Sequence, residues 1–194
     1  MFCYWQYLTS ALSLSLYNTL DQTTSYFNQA QLLTGNLNGT YNIVCFSIAF
    51  AMIPIAKKIG AKKLHFISLL IGGIGLICMP LLNDSDILFV LPFGNGIEVS
   101  QIYLFSFGLG ITWASMMAMP YQMLAASIPS GKTGIYMGIF NMFIVIPMII
   151  QIFSVQYFLY DLLGQNPINI IRLAGIFIIL GGVFSLFVST SKTN

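Results

Sequence analysis

Six long apolar segments follow one another along this chain, and its charges are sorted between the connections, lysines on alternate ones and acids on the others. Few folds survive that pattern. A bilayer core about 30 Å thick takes roughly 20 helical residues to cross, and an ionised side chain in mid-span costs ~2.5–3.5 kcal/mol. Of the 194 residues, 57% are hydrophobic and 6% are charged. Seven Lys/Arg and five Asp/Glu cannot clothe a soluble domain of this length. The chain reads as an all-α membrane protein, with lipid and its own helices as solvent.

Hydropathy and periodicity predict spans over residues 2–17, 31–56, 64–82, 99–127, 134–160 and 169–188, a single six-helix unit covering 1–194. The first half of the second span is polar, but Gln31, Gly35, Asn38 and Asn42 recur every three to four residues and so share one helical face. Lys57-Lys58-Ile59-Gly60-Ala61-Lys62-Lys63 forms a short basic turn that the positive-inside rule assigns to the cytoplasm. Lys132 and Lys192 then fall on the same side. Asp21, Asp84, Asp86, Glu98 and Asp161 all fall outside or at the outer interface, and Arg172 is the single base near that end. Both termini are expected in the cytoplasm, and the cell membrane is the expected location of this multi-pass chain. Ile87 to Phe93 is apolar but too short to span, and Gly94-Asn95-Gly96 breaks it, which predicts an interfacial segment or a dipping loop. Met1 is followed at once by Phe2-Cys3-Tyr4-Trp5, with no basic or polar leader, so the natural protein is expected to continue upstream.

Reaction chemistry is poorly represented. Cys3, Cys45 and Cys78 lie within apolar segments without metal-ligand spacing and read as small core residues. The single histidine, His65, has no triad or metal partners in sequence and reads as an interfacial or capping residue. Ser130-Gly131-Lys132-Thr133 has the tail of a phosphate-binding loop, but Ala126 stands where its first glycine belongs. No enzyme, metal, cofactor or nucleic-acid partner is expected.

The informative residues are polar or aromatic and uncharged. Gln6, Ser10, Ser13 and Tyr17 share a face of the first helix, with Trp5 and Thr9 beside it. Trp113, Met117 and Tyr121 share a face of the fourth, where Pro120 allows a kink. Asn141 lies in the inner half of the fifth, Pro147 at its centre, and Gly134 with Gly138 offers a close-packing surface. Phe184 is placed on a packing face. Amides and hydroxyls match sugar OH groups and rings cover their C–H faces, so this collection suits a neutral hydroxylated ligand. Helix packing is the competing use of any one of these residues.

The basic turn resembles the cytoplasmic signature of the major facilitator superfamily, Gly-x-x-x-Asp-Arg-x-Gly-Arg-Arg, keeping Gly60 and the basic pair Lys62-Lys63 while carrying Lys57 in place of the acid. The runs Gly110-Ile111-Thr112-Trp113-Ala114, Met119-Pro120-Tyr121-Gln122-Met123-Leu124, Gly134-Ile135-Tyr136-Met137-Gly138-Ile139-Phe140-Asn141 and Ile144-Val145-Ile146-Pro147 resemble the tenth and eleventh helices of sucrose and maltose carriers. These belong to the glycoside-pentoside-hexuronide branch of that superfamily. Phe2-Cys3-Tyr4-Trp5 is similar to the start of their seventh helix.

The resemblance implies the C-terminal half, helices seven to twelve, of a twelve-helix sugar transporter that works by alternating access with an N-terminal six-helix partner half. Substrate then lies at mid-membrane between the halves. Trp5, Gln6, Thr9, Trp113 and Tyr121 would line the cavity, and Asn38, Asn42 and Asn141 would flank or gate it. Proton coupling, which the resemblance also implies, needs an ionisable group facing the cavity. Mid-span positions here hold none, so that group is expected in the other half, with Glu98 at the outer rim as the candidate in this one. The rival readings are a carrier of the same superfamily for another neutral solute, and a six-helix scaffold or fragment that transports nothing.

Overall fold

A computed structural model describes residues 1–92, 96–125, 127–129 and 131–188. Phe93 at the end of the short apolar run, the predicted break at Gly94-Asn95, Ala126 and Ser130 of the loop-like motif, and the tail bearing Lys192 lie outside the described residues.

The fold is nearly all-α. Six long helices run α1 (Phe2–Tyr17), α2 (Ser25–Ile59), α3 (Ala61–Cys78), α4 (Tyr103–Ala125), α5 (Thr133–Leu162) and α6 (Pro167–Leu186). Four of them, α2, α5, α6 and α3 with its 3₁₀ extension through Leu81, are long and apolar enough to cross a membrane. α1 has 16 residues, and α4 has 23 residues and buries nine of them.

Local chemistry moves several boundaries away from those expected. α2 begins at Ser25 because the Thr24 hydroxyl accepts a hydrogen bond from the Phe27 N–H at 3.2 Å, capping the helix ahead of its polar stretch. The resulting helix has 35 residues and is about 52 Å long. The predicted basic turn shrinks to one residue, Gly60, whose φ of 89° joins α2 to α3 without a loop. Its four lysines therefore sit on helix ends. The largest departure lies between α3 and α4. Residues 99 and 100, expected to open the fourth helix, belong to a strand, and so does the interfacial segment. β1 (Ile87–Leu91) and β2 (Ile97–Ser100) form an antiparallel hairpin that pairs Val90 with Glu98 and Phe89 with Val99. The β-branched Ile87, Val90, Ile97 and Val99 favour this geometry. At its base the Ser100 hydroxyl donates to Asp84 Oδ1 at 2.7 Å. α5 contains a π-helical turn over Val155–Leu159. Asn166 caps α6 through the Ile168 N–H, with Pro167 in its first turn.

α3 lies at the centre, between α4 and α6, and close approach there depends on glycine. A Cβ on Gly73 would stand 2.8 Å from the Gly175 carbonyl oxygen, and one on Gly175 would stand 2.6 Å from the Gly73 oxygen. A Cβ on Gly110 would meet the Tyr41 carbonyl oxygen at 2.7 Å, which brings α2 against α4. α1 lies across α2 and α6, and Tyr4, Leu8, Ala11 and Leu12 are fully buried there. The hydroxyl of Thr112 donates to the Ser68 carbonyl at 2.6 Å, locking α4 to α3.

α5 stands apart. Thr133–Ser154 buries no residue, and Gly134 and Gly138, expected to pack closely, have nothing within 4 Å of a Cβ position. Phe184, expected on a packing face, is 68% exposed. His65, expected at an interface or cap, is instead buried, with Nδ1 at 2.8 Å from Ser115 Oγ. The three cysteines are free thiols.

Helices alternate in direction, so the charges segregate to the two ends. Lys57, Lys58, Lys62 and Lys63 flank Gly60, and Lys62 Nζ donates to the Val188 carbonyl at 2.6 Å, which puts the end of α6 beside them. Asp21, Asp84, Asp86, Glu98 and Asp161 mark the opposite end. There the Asp21 carboxylate accepts from the Thr23 hydroxyl at 2.7 Å and its N–H at 2.9 Å, and these bonds hold it below the ordinary carboxylate range.

Candidate functional site

α1 buries Cys3 and Tyr4, and this rotation brings their neighbours Trp5 and Gln6 to the exposed rim. Trp5 is 38% exposed. Its indole Nε1 donates to Tyr41 Oη at 3.3 Å, and its ring meets Trp113 edge-on at a centroid separation of 5.2 Å. One side chain thus joins α1, α2 and α4. Beneath it, Tyr4 Oη donates to Asn38 Oδ1 at 2.8 Å, and the Tyr4 ring packs edge-on against Tyr41 and Phe105.

The remaining expected residues divide by position. Gln6 is exposed and its Oε1 accepts from Gln151 Nε2 of α5 at 3.3 Å. Thr9 is turned into the α1–α2 contact, donating to Thr34 Oγ1 at 3.0 Å, which in turn donates to the Ala30 carbonyl at 2.8 Å. Asn42 is exposed, with its amide folded back on the Asn38 carbonyl of its own helix at 2.8 Å. Trp113, Met117 and Tyr121 follow one face of α4, as their spacing predicts. Tyr121 Oη donates to Asn141 Oδ1 at 2.8 Å, while its ring stands edge-on to Phe140 at 4.9 Å. Ser13, from the expected polar face of α1, is buried and donates to the Thr19 carbonyl at the helix end.

Two clusters result. Trp5, Tyr41 and Trp113 meet where α1, α2 and α4 come together, with Asn38 beside them through Tyr4, while Gln6 is turned to Gln151 of α5 and Asn42 is bonded only to its own helix. Tyr121 and Asn141 form a second group two turns further along α4, about 12 Å away by helical rise. Tyr4, Tyr41, Thr34 and Gln151 complete this network and were not singled out from sequence. Tyr41 could have been, since it lies one turn from Asn38. So could Gln151, the single polar residue between Asn141 and Ser154 in an apolar run.

Every member is an amide, a hydroxyl or a ring, and none is charged. Such a surface can bind a neutral polar solute by paired hydrogen bonds and ring stacking. Among the described residues, no group of three His, Cys, Asp or Glu side chains could hold a metal ion.

Behind Trp113 lies a cavity of about 490 Å³, walled by the start of α1 and by α3, α4, α5 and α6. Met117, Phe140, Met148 and Phe177 are among the side chains that line it, and its polar groups include His65 and Gln151. A second cleft, of about 390 Å³, opens at the acidic end between Tyr17, Asn36, Asp84, Glu98 and Tyr103, with Leu33 in its wall. The chain matches no family model, no curated protein and no solved structure.

Proposed function

We propose that this chain forms six membrane-spanning helices, one half of a major-facilitator-type secondary transporter that carries a sugar, a disaccharide or glycoside, across the cell membrane by alternating access. The positive-inside rule puts the lysine-rich end and both termini in the cytoplasm. The observation that carries the reading is the edge-on pair Trp5–Trp113, uncharged and partly open where three helices meet, with Gln6 next to Trp5 on α1 and Asn38 bonded to Tyr4 beneath it. Sugars need that mixture of hydrogen-bonding amides and ring faces. Tyr121 and Asn141 bound the cytoplasmic side of the surface.

The partner would be a second six-helix half seated against α2 and α5. Ile43, Phe46 and Phe50 of α2 are each more than two-thirds exposed, and α5 buries nothing over Thr133–Ser154. Proton coupling belongs to the assembled carrier, since the surface described here has no group that titrates near neutrality.

The chain in lipid nanodiscs, titrated with sucrose and with maltose, tests the reading through its fluorescence, because Trp5 and Trp113 are its two tryptophans. A saturable spectral change with either sugar, lost in Gln6→Ala, is expected. A flat response to both sugars alongside a saturable response to an uncharged non-sugar solute would replace the sugar by another cargo.

A further inference from the structure

We propose that the lysine-rich end of the chain seats the headgroup of an anionic phospholipid, in a cleft where the α2–α3 junction meets the last turns of α4. The cleft has a volume of about 300 Å³ and is lined by Ile59, Gly60, Lys62 and Lys63 on the junction side and by Gln122 and Met123 on the other. It shares no residue with the Trp5–Trp113 surface. Four lysines fall within the seven residues Lys57 to Lys63. Among the described residues no acidic side chain faces them, because Asp21, Asp84, Asp86, Glu98 and Asp161 are all at the opposite end. Lys62 and Lys63 also stand in the first turn of α3, at the positive end of its dipole, where cations are disfavoured and α3 has neither an acid nor a side-chain cap. Lys62 Nζ is bonded to the neutral Val188 carbonyl, and Lys63 is exposed. The protein thus leaves this positive charge uncompensated, and an anion from outside can balance it.

The lining selects which anion. Lys62, Lys63 and Gln122 offer donors to phosphodiester oxygens, while Ile59 and Met123 offer apolar contact to the glycerol and the first acyl carbons. Ile55 lies one turn deeper than Ile59 on α2, and the two are 37% and 41% exposed. By helical rotation they lie on the other side of α2 from Ile43, Phe46 and Phe50, so a partner half seated on those residues leaves them open. A lysine cleft that continues into an apolar track matches a molecule with a phosphate at one end and a hydrocarbon chain at the other. A soluble phosphate meets the lysines alone. The proposal rests on the reading of these helices as membrane spans, which puts the cleft at the level of lipid phosphates, and it is independent of what the chain transports.

The test is native mass spectrometry of the chain ejected from nanodiscs made of phosphatidylcholine and phosphatidylglycerol in equal amounts, counting the lipids that stay bound. Phosphatidylglycerol should be retained about fivefold over phosphatidylcholine. Lys63→Gln removes a charge from the cleft and should bring the two lipids level, and Lys63→Arg should keep the preference. Lys57→Gln removes the same charge outside the cleft and should leave most of it. Gln122→Glu sets a carboxylate opposite the lysines and should abolish it. Glycerol 3-phosphate at millimolar concentration should displace no lipid. Equal losses in Lys63→Gln and Lys57→Gln would mean diffuse attraction between charges and would overturn the seat. Displacement by glycerol 3-phosphate would overturn the lipid as the source of the phosphate, and equal retention of both lipids by the unaltered chain would overturn the proposal outright. A chain that does not enter nanodiscs would overturn the spans themselves, and the proposal with them.

Discussion

The indole rings of Trp5 and Trp113 meet edge-on at 5.2 Å, and the same Trp5 ring reaches Tyr41 through its N–H. Residues 108 positions apart in sequence thereby hold α1, α4 and α2 in one relative arrangement. Edge-to-face pairs contribute about 0.5–1.5 kcal/mol beyond area burial. Part of that preorganisation serves any ligand stacked on the exposed ring.

Trp113→Ala should therefore weaken sugar binding by about tenfold or more, near 1.4 kcal/mol, and Trp113→Phe by less, because a ring edge is kept. Phe184→Ala is the control, since that ring is exposed on α6, away from the site. Equilibrium binding of labelled sucrose or maltose to nanodisc-embedded variants reads the difference. Equal affinities for Trp113→Ala and Phe184→Ala would remove Trp113 from the site.

The glycines of this chain divide by what surrounds them. Gly73→Ala would force a methyl to 2.8 Å from the Gly175 oxygen and should cost about 1–3 kcal/mol by overpacking. Gly138→Ala meets open space and should be neutral or stabilising by up to about 1 kcal/mol through helix propensity. Thermal unfolding in a mild detergent, with both variants side by side, checks the ordering. Matching midpoints would mean that α3 and α6 can separate freely.

Much of this architecture was legible because hydropathy and charge act over whole segments. Six helices appear in the expected order, with lysines and acids at opposite ends. The start of α2 was hidden because Asn36, Asn38 and Asn42 lower its hydropathy, although the cap at Thr24 was present in the sequence. The hairpin was hidden for another reason: a run such as Ile87–Leu91 is too short for its period to separate strand from helix. Trp5, Gln6 and Trp113 were legible as candidates because polar and aromatic residues are conspicuous in apolar spans. What sequence could not say is which hydroxyls face inward to a neighbouring helix. Thr9 bonds Thr34 and Asn38 bonds Tyr4, and those pairings depend on helix rotation, which packing alone decides.

The α1–α2 loop should respond to acid. Asp21 has its carboxyl held below the ordinary value, about 3.9, by the Thr23 hydroxyl and N–H. A carboxyl depressed on folding stabilises the loop at pH above its unfolded value, and that contribution disappears as pH falls through the lowered folded value. Thr23→Val deletes the hydroxyl bond and should raise the Asp21 titration midpoint toward the ordinary value. Carboxyl-carbon NMR of the chain labelled at aspartate measures it. An unmoved midpoint would show that the hydroxyl does not hold the carboxylate.

Gly60 is the one residue between two long helices, at φ 89° and ψ 141°, a conformation almost confined to glycine. A side chain there meets no neighbour within 4 Å, so any cost of Gly60→Ala is conformational rather than steric crowding. That cost should be of order 1–3 kcal/mol. The chain can relieve it by unwinding the ends of α2 and α3, which would move Lys58 and Lys62 apart. Doubly spin-labelled Lys58→Cys/Lys62→Cys chains should show a longer and broader distance distribution in the Gly60→Ala background. An unchanged distribution together with unchanged thermal stability would show that the turn does not depend on glycine.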